Sequence, residues 1–315
     1  LCFIFMCVIN PESMKHLTSV IGLLFALCAT AQEYSVELSR RNSLYLVDTK
    51  IGGHTEKFTF DTGASCTMIN SDLCTLLKSE GHLTEPQLST VLVTMADESE
   101  IECRVVYIDE LEIGSAKFQD VKALCVPGSD AEPLVGHTII ERMSRHSFQG
   151  NRLTFELLPA ERQKYLMDCN WASDLLNYGS GSEAELQEVY DMLTPYFNNQ
   201  TIVSEDLDIY CRAVYNLDRF DEFVVAFERL AEDKSYDTPT DMYDCLTVAY
   251  AVIGKLSEAK MYLDKYVQSE DTDQEIVGYL HFMLAEKMLY AGQYDEVLHY
   301  VGLLKEMNYK PEKDE

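Results

Sequence analysis

Basic residues are scarce in this 315-residue chain: 25 Lys and Arg stand against 53 Asp and Glu, a formal net charge of -28. A phosphate surface repels so acidic a protein, which argues against nucleic acid and anionic membranes as partners. No cysteine pair has C-x-x-C or zinc-finger spacing, no H-E-x-x-H occurs, and no G-x-S-x-G elbow surrounds Ser65 or any other serine. Zinc catalysis and serine-nucleophile chemistry therefore lack their residues, and neither a metal nor another cofactor is implied. Long apolar runs are missing too. Near the start, Asn10, Pro11, Glu12 and Lys15 break the apolar stretch well short of the roughly 18 residues that a membrane span needs. What remains is ordinary for folded protein: 47% hydrophobic and 25% charged residues, in a length that suits two domains.

The first residues read as an address. Met14-Lys15-His16 precedes an apolar stretch from Leu17 to Leu27 and the small-residue series Cys28-Ala29-Thr30-Ala31. A positive charge, a short apolar core and an A-x-A site make a secretory signal. The expectation is a signal peptide over 1–31, with Met14 as the start, residues 1–13 an artefact of start assignment, and an exported protein, periplasmic or secreted, without a membrane span once matured. Cleavage after Ala31 removes Cys2, Cys7 and Cys28 of the ten cysteines and leaves seven, an odd number that cannot all pair within one chain. Cys66, Cys74, Cys103 and Cys125 sit among apolar residues and read as buried thiols.

Two textures follow. From Gln32 to about Ala160 the chain shows short β-branched and aromatic runs punctuated by glycine: Leu44–Lys50, Lys57–Phe60, Thr90–Met95, Glu102–Ile108, Lys117–Cys125 and Leu153–Leu158. Gly52-Gly53 reads as a hairpin turn. Helices are expected at Ser71–Ser79, stopped by Gly81, and at His137–Ser144. From Glu183 onward the apolar period is helical. The expected organisation is a mainly-β domain over 32–165, a linker over 166–182 ending in Gly179-Ser180-Gly181-Ser182, and an α-helical domain over 183–315.

The helical part repeats itself. Asp218-Arg219-Phe220-Asp221-Glu222-Phe223, Gly254-Lys255-Leu256-Ser257-Glu258-Ala259 and Gly292-Gln293-Tyr294-Asp295-Glu296-Val297 align, with a large apolar residue at 220, 256 and 294 and Glu always two places later. This resembles the tetratricopeptide repeat in degenerate form, best at Leu246, Tyr250, Gly254, Leu256 and Ala259. The resemblance implies antiparallel helix pairs whose surface contacts a protein partner.

The chemistry-bearing stretch is Phe58-Thr59-Phe60-Asp61-Thr62-Gly63-Ala64-Ser65. Alternating Phe58 and Phe60 make a strand, Gly63 permits a tight turn, and Met68-Ile69 return to the core. Far downstream come Leu134-Val135-Gly136, two apolar residues and a glycine. In that order and spacing, over residues 35–160, the two motifs resemble the retropepsin-like aspartic proteases. The resemblance implies an acid-protease fold with Asp61 as the catalytic aspartate and Thr62, Gly63, Ala64 and Ser65 as its loop. It makes Leu134, Val135 and Gly136 the loop's support, and Met95, Ala96, Asp97, Glu98 and Ser99 the tip of a flap.

Peptide hydrolysis by this route needs a base for the attacking water and an acid for the carbonyl oxygen. Two carboxylates in contact supply both, because so close a pair shares one proton. Asp-Thr-Gly occurs once here; Asp48-Thr49, Asp237-Thr238 and Asp271-Thr272 are followed by Lys, Pro and Asp. One chain thus carries half a dyad, and a peptidase built on it acts on peptide or protein substrates as a homodimer. The competing reading is an inactive protease fold serving protein interaction alone.

Overall fold

The computed structural model describes residues 32–85, 90–94, 99–269 and 272–311; the expected signal peptide lies outside them. The chain divides into two compact units, residues 32–84 with 107–163, and 85–106 with 164–311. Among the described residues no helix is long and apolar enough to cross a membrane.

The first unit is built on strands. β1 (Glu33–Glu37), β2 (Ser39–Arg41), β3 (Leu44–Ile51), β4 (His54–Phe60) and β5 (Thr67–Asn70) lead into helix α1 (Ser71–Glu80) and β6 (Leu83–Thr84). β7 (Thr90–Thr94) belongs to the second unit, and β8 (Glu100–Ile113) passes from the second back to the first. β9 (Ala116–Val126), β10 (Leu134–Val135), α2 (His137–Ile140), β11 (Met143–Gln149) and β12 (Arg152–Leu157) complete the set.

The larger sheet runs β2-β3-β4-β10-β5-β9-β8-β6, and the end of β3 also pairs with β8, so the sheet curls onto itself. A smaller sheet, β1-β12-β11, turns Val36, Leu153 and Phe155 inward and Ser35, Arg152 and Thr154 toward water. Phe58, Ile69, Leu77, Leu111 and Phe118 fill the core.

Local chemistry explains these elements. Gly52 and Gly53 both take positive φ (56° and 87°), the left-handed pair that a two-residue hairpin between Ile51 and His54 requires. At α1 the Asn70 side chain caps the first turn by accepting the Leu73 amide at 2.9 Å. Gly81 ends the helix at φ 78°, and the His82 amide reaches back to the Leu77 carbonyl.

The expected helix over His137–Ser144 is shorter than its pattern. It ends at Ile140, and Met143 opens strand β11. Buried Arg142 donates from its guanidinium to the carbonyls of Gln119 and Asp120 in β9, which draws the chain toward that strand instead of into another helical turn.

The helical part of the second unit holds eight helices among the described residues: α3 (Ala160–Tyr178, beginning at the end of the first unit), α4 (Glu183–Asn198), α5 (Ser204–Asn216), α6 (Phe220–Leu230), α7 (Thr240–Val252), α8 (Leu256–Val267), α9 (Gln274–Tyr290) and α10 (Tyr294–Glu306). Residues 166–178, expected in a linker, are therefore helical. Tyr165, Cys169, Ala172 and Leu175 recur every three or four residues and bury in the same apolar cluster as the later helices. Only residues 179–182 connect α3 to α4, where Ser182 and Glu185 form a capping box.

The three aligned segments share one turn. Asp218, Gly254 and Gly292 all stand at positive φ (57°, 80° and 74°), between α5 and α6, α7 and α8, α9 and α10. In each, the next residue's amide reaches back five residues: Arg219 to Val214, Lys255 to Tyr250 and Gln293 to Met288. The second helix of each pair then begins at Phe220, Leu256 or Tyr294, the residues that recur in the sequence.

Candidate active site

Strands β4 and β10 run parallel, with Leu134 beside Thr59 and Val135 beside Phe60. The Thr59 amide donates to Pro133 O at 2.9 Å and the Asp61 amide to Val135 O at 3.0 Å. β5 returns on the other side of β10, with Met68 opposite Leu134. The chain therefore leaves β4 at Asp61, loops over residues 61–66 and comes back with β10 held between its two arms. Leu134, Val135 and Gly136 lie against the loop, and Val135 is fully buried.

Gly136 has a steric reason to be glycine. A Cβ there would stand 2.3 Å from Cys66 O and 3.0 Å from Ala64 O, so the two backbones cross at a distance that excludes any side chain. The next residue continues the clamp, as the His137 amide donates to Ala64 O at 2.9 Å. The His137 side chain is exposed at the first turn of α2.

Inside the loop, the Gly63 amide donates to Asp61 Oδ1 at 2.9 Å and orients the carboxylate. Asp61 and Ala64 are half-buried, whereas Thr62, Gly63 and Ser65 are exposed. Among the described residues no Lys, Arg or His forms an ion pair with Asp61. The carboxylate thus has one oxygen fixed by the backbone and stands beside the exposed Thr62 and Gly63.

Two further residues hold this loop that sequence reasoning missed. Thr67 and Thr138 are both buried, and their hydroxyls lie 3.0 Å apart. The Gly136 amide donates to Thr67 Oγ1 at 3.2 Å, the Thr67 amide to Thr138 Oγ1 at 3.1 Å, and Thr138 Oγ1 to the Lys122 carbonyl at 2.9 Å. Each hydroxyl has one proton, so with Thr138 donating to Lys122 the shared bond is donated by Thr67. The chain of bonds ties the Thr67 end of the loop, and the Gly136–Thr138 segment behind it, to β9. The available signal was Thr67 itself, a polar residue where the returning strand needs apolar ones.

Strands β7 and β8 pair antiparallel, from Thr90 opposite Arg104 to Thr94 opposite Glu100. Met95, Ala96, Asp97 and Glu98 lie outside the described residues, and Ser99 is exposed. This hairpin falls in the second unit and Asp61 in the first.

Residues 47–142 match the family model described as "gag-polyprotein putative aspartyl protease". That span begins in β3 and ends just past α2, and so contains the whole clamp around Asp61. The match falls wholly in the sheet-rich part of the chain, and a helical region follows that part. Among solved structures, the chain is similar to the crystal structure of a retropepsin-like aspartic protease from Rickettsia conorii, with 16% identity and a TM-score of 0.30, covering 41% of this chain and 94% of that one. No curated protein matches the chain significantly.

Proposed function

We propose that this protein is an exported aspartic endopeptidase, active as a homodimer in which Asp61 of each chain forms the catalytic pair. The observation that carries the reading is the Asp61 loop. Its carboxylate is aimed by the Gly63 amide, on a turn tied to Val135 and His137. Such rigidity suits a group that must meet its twin at hydrogen-bonding distance, where the pair shares one proton. The ionised partner then takes a proton from water as that water attacks the peptide carbonyl, and the protonated partner hydrogen-bonds the carbonyl oxygen. Thr62, exposed beside Asp61, is the residue whose hydroxyl would tie the two loops across the dimer. Export rests on the pattern of residues 14–31. The paired helices, resembling degenerate tetratricopeptide repeats, serve protein contacts.

The test is digestion of an unstructured protein and a broad peptide library by the purified chain and by Asp61→Asn. Internal cleavage by the wild type and none by a variant of unchanged fold and oligomer size is the expected result. Equal cleavage by both would contradict the reading, and cleavage by neither would leave the fold to interaction alone.

A further inference from the structure

The last helix, α10, leaves open a face that its counterparts bury. The alignment that sets Tyr294 beside Phe220 and Leu256 places Leu298 at the position of Val224 in α6. It places Val301 at the positions of Phe227 in α6 and Leu263 in α8. Val224, Phe227 and Leu263 are buried, and the Phe227 ring meets that of Tyr262 in α8 at 6.0 Å between centres. In α10, by contrast, Tyr294 is 66% and Leu298 71% exposed, and Val301 is half-buried. Among the described residues no helix pair follows to cover them. The chain instead turns at Asn308 (φ 53°) and lays Tyr309 against α9, where a Cβ on Gly278 would stand 2.2 Å from its ring.

Helical spacing joins Tyr294, Leu298, Val301 and Lys305 in one stripe. Gly302 beside it has open space where a Cβ would stand, so a second backbone can come close. The other charges of α10 lie off the stripe: Asp295, His299 and Glu306 fall farther round the helix, and Glu296 pairs with Lys260 at 2.9 Å. Lys305 is exposed and forms no ion pair among the described residues. The stripe is its own complement. Laid antiparallel on a copy of itself, it sets Leu298 opposite Val301 and Tyr294 opposite Lys305, twice over by symmetry. The second of these pairs puts an ammonium over a tyrosine ring, as Lys265 already stands 4.9 Å from the Tyr262 ring centre within the chain.

We infer that α10 is a contact between two copies of this chain, its stripe packed antiparallel on the same stripe of the second copy. Burial of Leu298 and Val301 supplies the affinity, and the pairing of Lys305 with Tyr294 sets the register. Charge favours this occupant. A cationic partner would need carboxylates, and the stripe has none. Two chains of net charge -28 can approach only through a face free of acid, which this one is. The inference stands apart from the peptidase reading, since none of these residues belongs to the Asp61 loop and its test reads no cleavage.

The test uses the full-length chain carrying Asp61→Asn, into which Tyr294→Cys and Lys305→Cys are introduced separately. Each is oxidised alone and the two are oxidised as a mixture. A disulfide-linked dimer from the mixture only is expected, because in the antiparallel contact each position lies about 16 Å along the helix from its own copy. Cross-linking by each variant alone, or none in the mixture, would overturn the proposal. Sedimentation of chains without added cysteines gives a second reading. Leu298→Glu should raise the dimer dissociation constant about tenfold or more, whereas Val225→Glu, at a position 56% exposed on α6, should change it by less than about twofold. No weakening by Leu298→Glu, or equal weakening by both, would refute the contact. A chain that stays monomeric at every concentration would refute it too and leave the stripe to a different protein. Should Leu298→Glu unfold, the cross-linking result decides.

Discussion

Gly136 passes beneath Cys66 so closely that a single added carbon would stand 2.3 Å from the Cys66 carbonyl oxygen. The loop bearing Asp61 and the segment that braces it are thereby locked in one relation, with the Asp61 amide bonded to Val135.

Gly136→Ala tests that lock. The obstacle is backbone, which cannot swing aside as a long side chain would. Overpacking of this kind costs about 1–3 kcal/mol, and the mutant should show a lower urea midpoint together with a loss of cleavage. An unchanged midpoint would show that the crossing is looser than described.

The hydroxyl pair behind the loop makes a sharper distinction. Thr138→Val keeps the volume but takes away the oxygen that the Thr67 amide and the Thr67 hydroxyl donate to. Leaving buried polar groups unsatisfied costs about 1–3 kcal/mol. Thr138→Ser restores the hydroxyl and should recover most of that loss. If Val and Ser were equally tolerated, the bonds would not hold the loop.

In the helical unit, the His281 imidazole packs at 5.4 Å from the Tyr300 ring. Burial pushes its pKa below the ordinary 6.5, nearby His299 adds to the effect, and Asp264 opposes it. The unfolded chain therefore binds a proton at His281 that the folded chain refuses. This contribution to stability is complete above about 6.5 and declines as the pH drops through that value toward the lowered one. His281→Leu should flatten the fall in melting temperature between about pH 7 and pH 5. A wild-type melt that holds steady over this range would contradict the assignment.

Much of this architecture was legible before any coordinates, for reasons that differ by element. Gly52-Gly53 and Gly81 announce left-handed positions because few other residues tolerate them, and both turns stand where expected. Phe220, Leu256 and Tyr294 announce the second helix of each pair because each starts just past the same left-handed turn. Asp218 fills that turn without a glycine, a substitution that obscures the repeat in sequence but not in backbone geometry.

What was hidden depends on partners far along the chain. β11 carries the polar sequence MSRHSFQ and is exposed over most of its length, so it lacks the alternation of an inner strand. Helix α3 looks like a linker because its apolar residues Tyr165, Cys169, Ala172 and Leu175 are separated by polar ones and gain meaning only against the later helices. At the site, Asp61, Gly63 and Gly136 could be read from local motifs. The bond between Thr67 and Thr138 could not, because the fold alone brings those two hydroxyls together.

The central claim, that two chains each lend one Asp61 to a shared dyad, is tested most directly by measuring specific activity and sedimentation over one series of protein concentrations. The account predicts that cleavage per chain rises in step with the dimer fraction and vanishes where only monomer remains. Undiminished cleavage per chain in a wholly monomeric sample would contradict it.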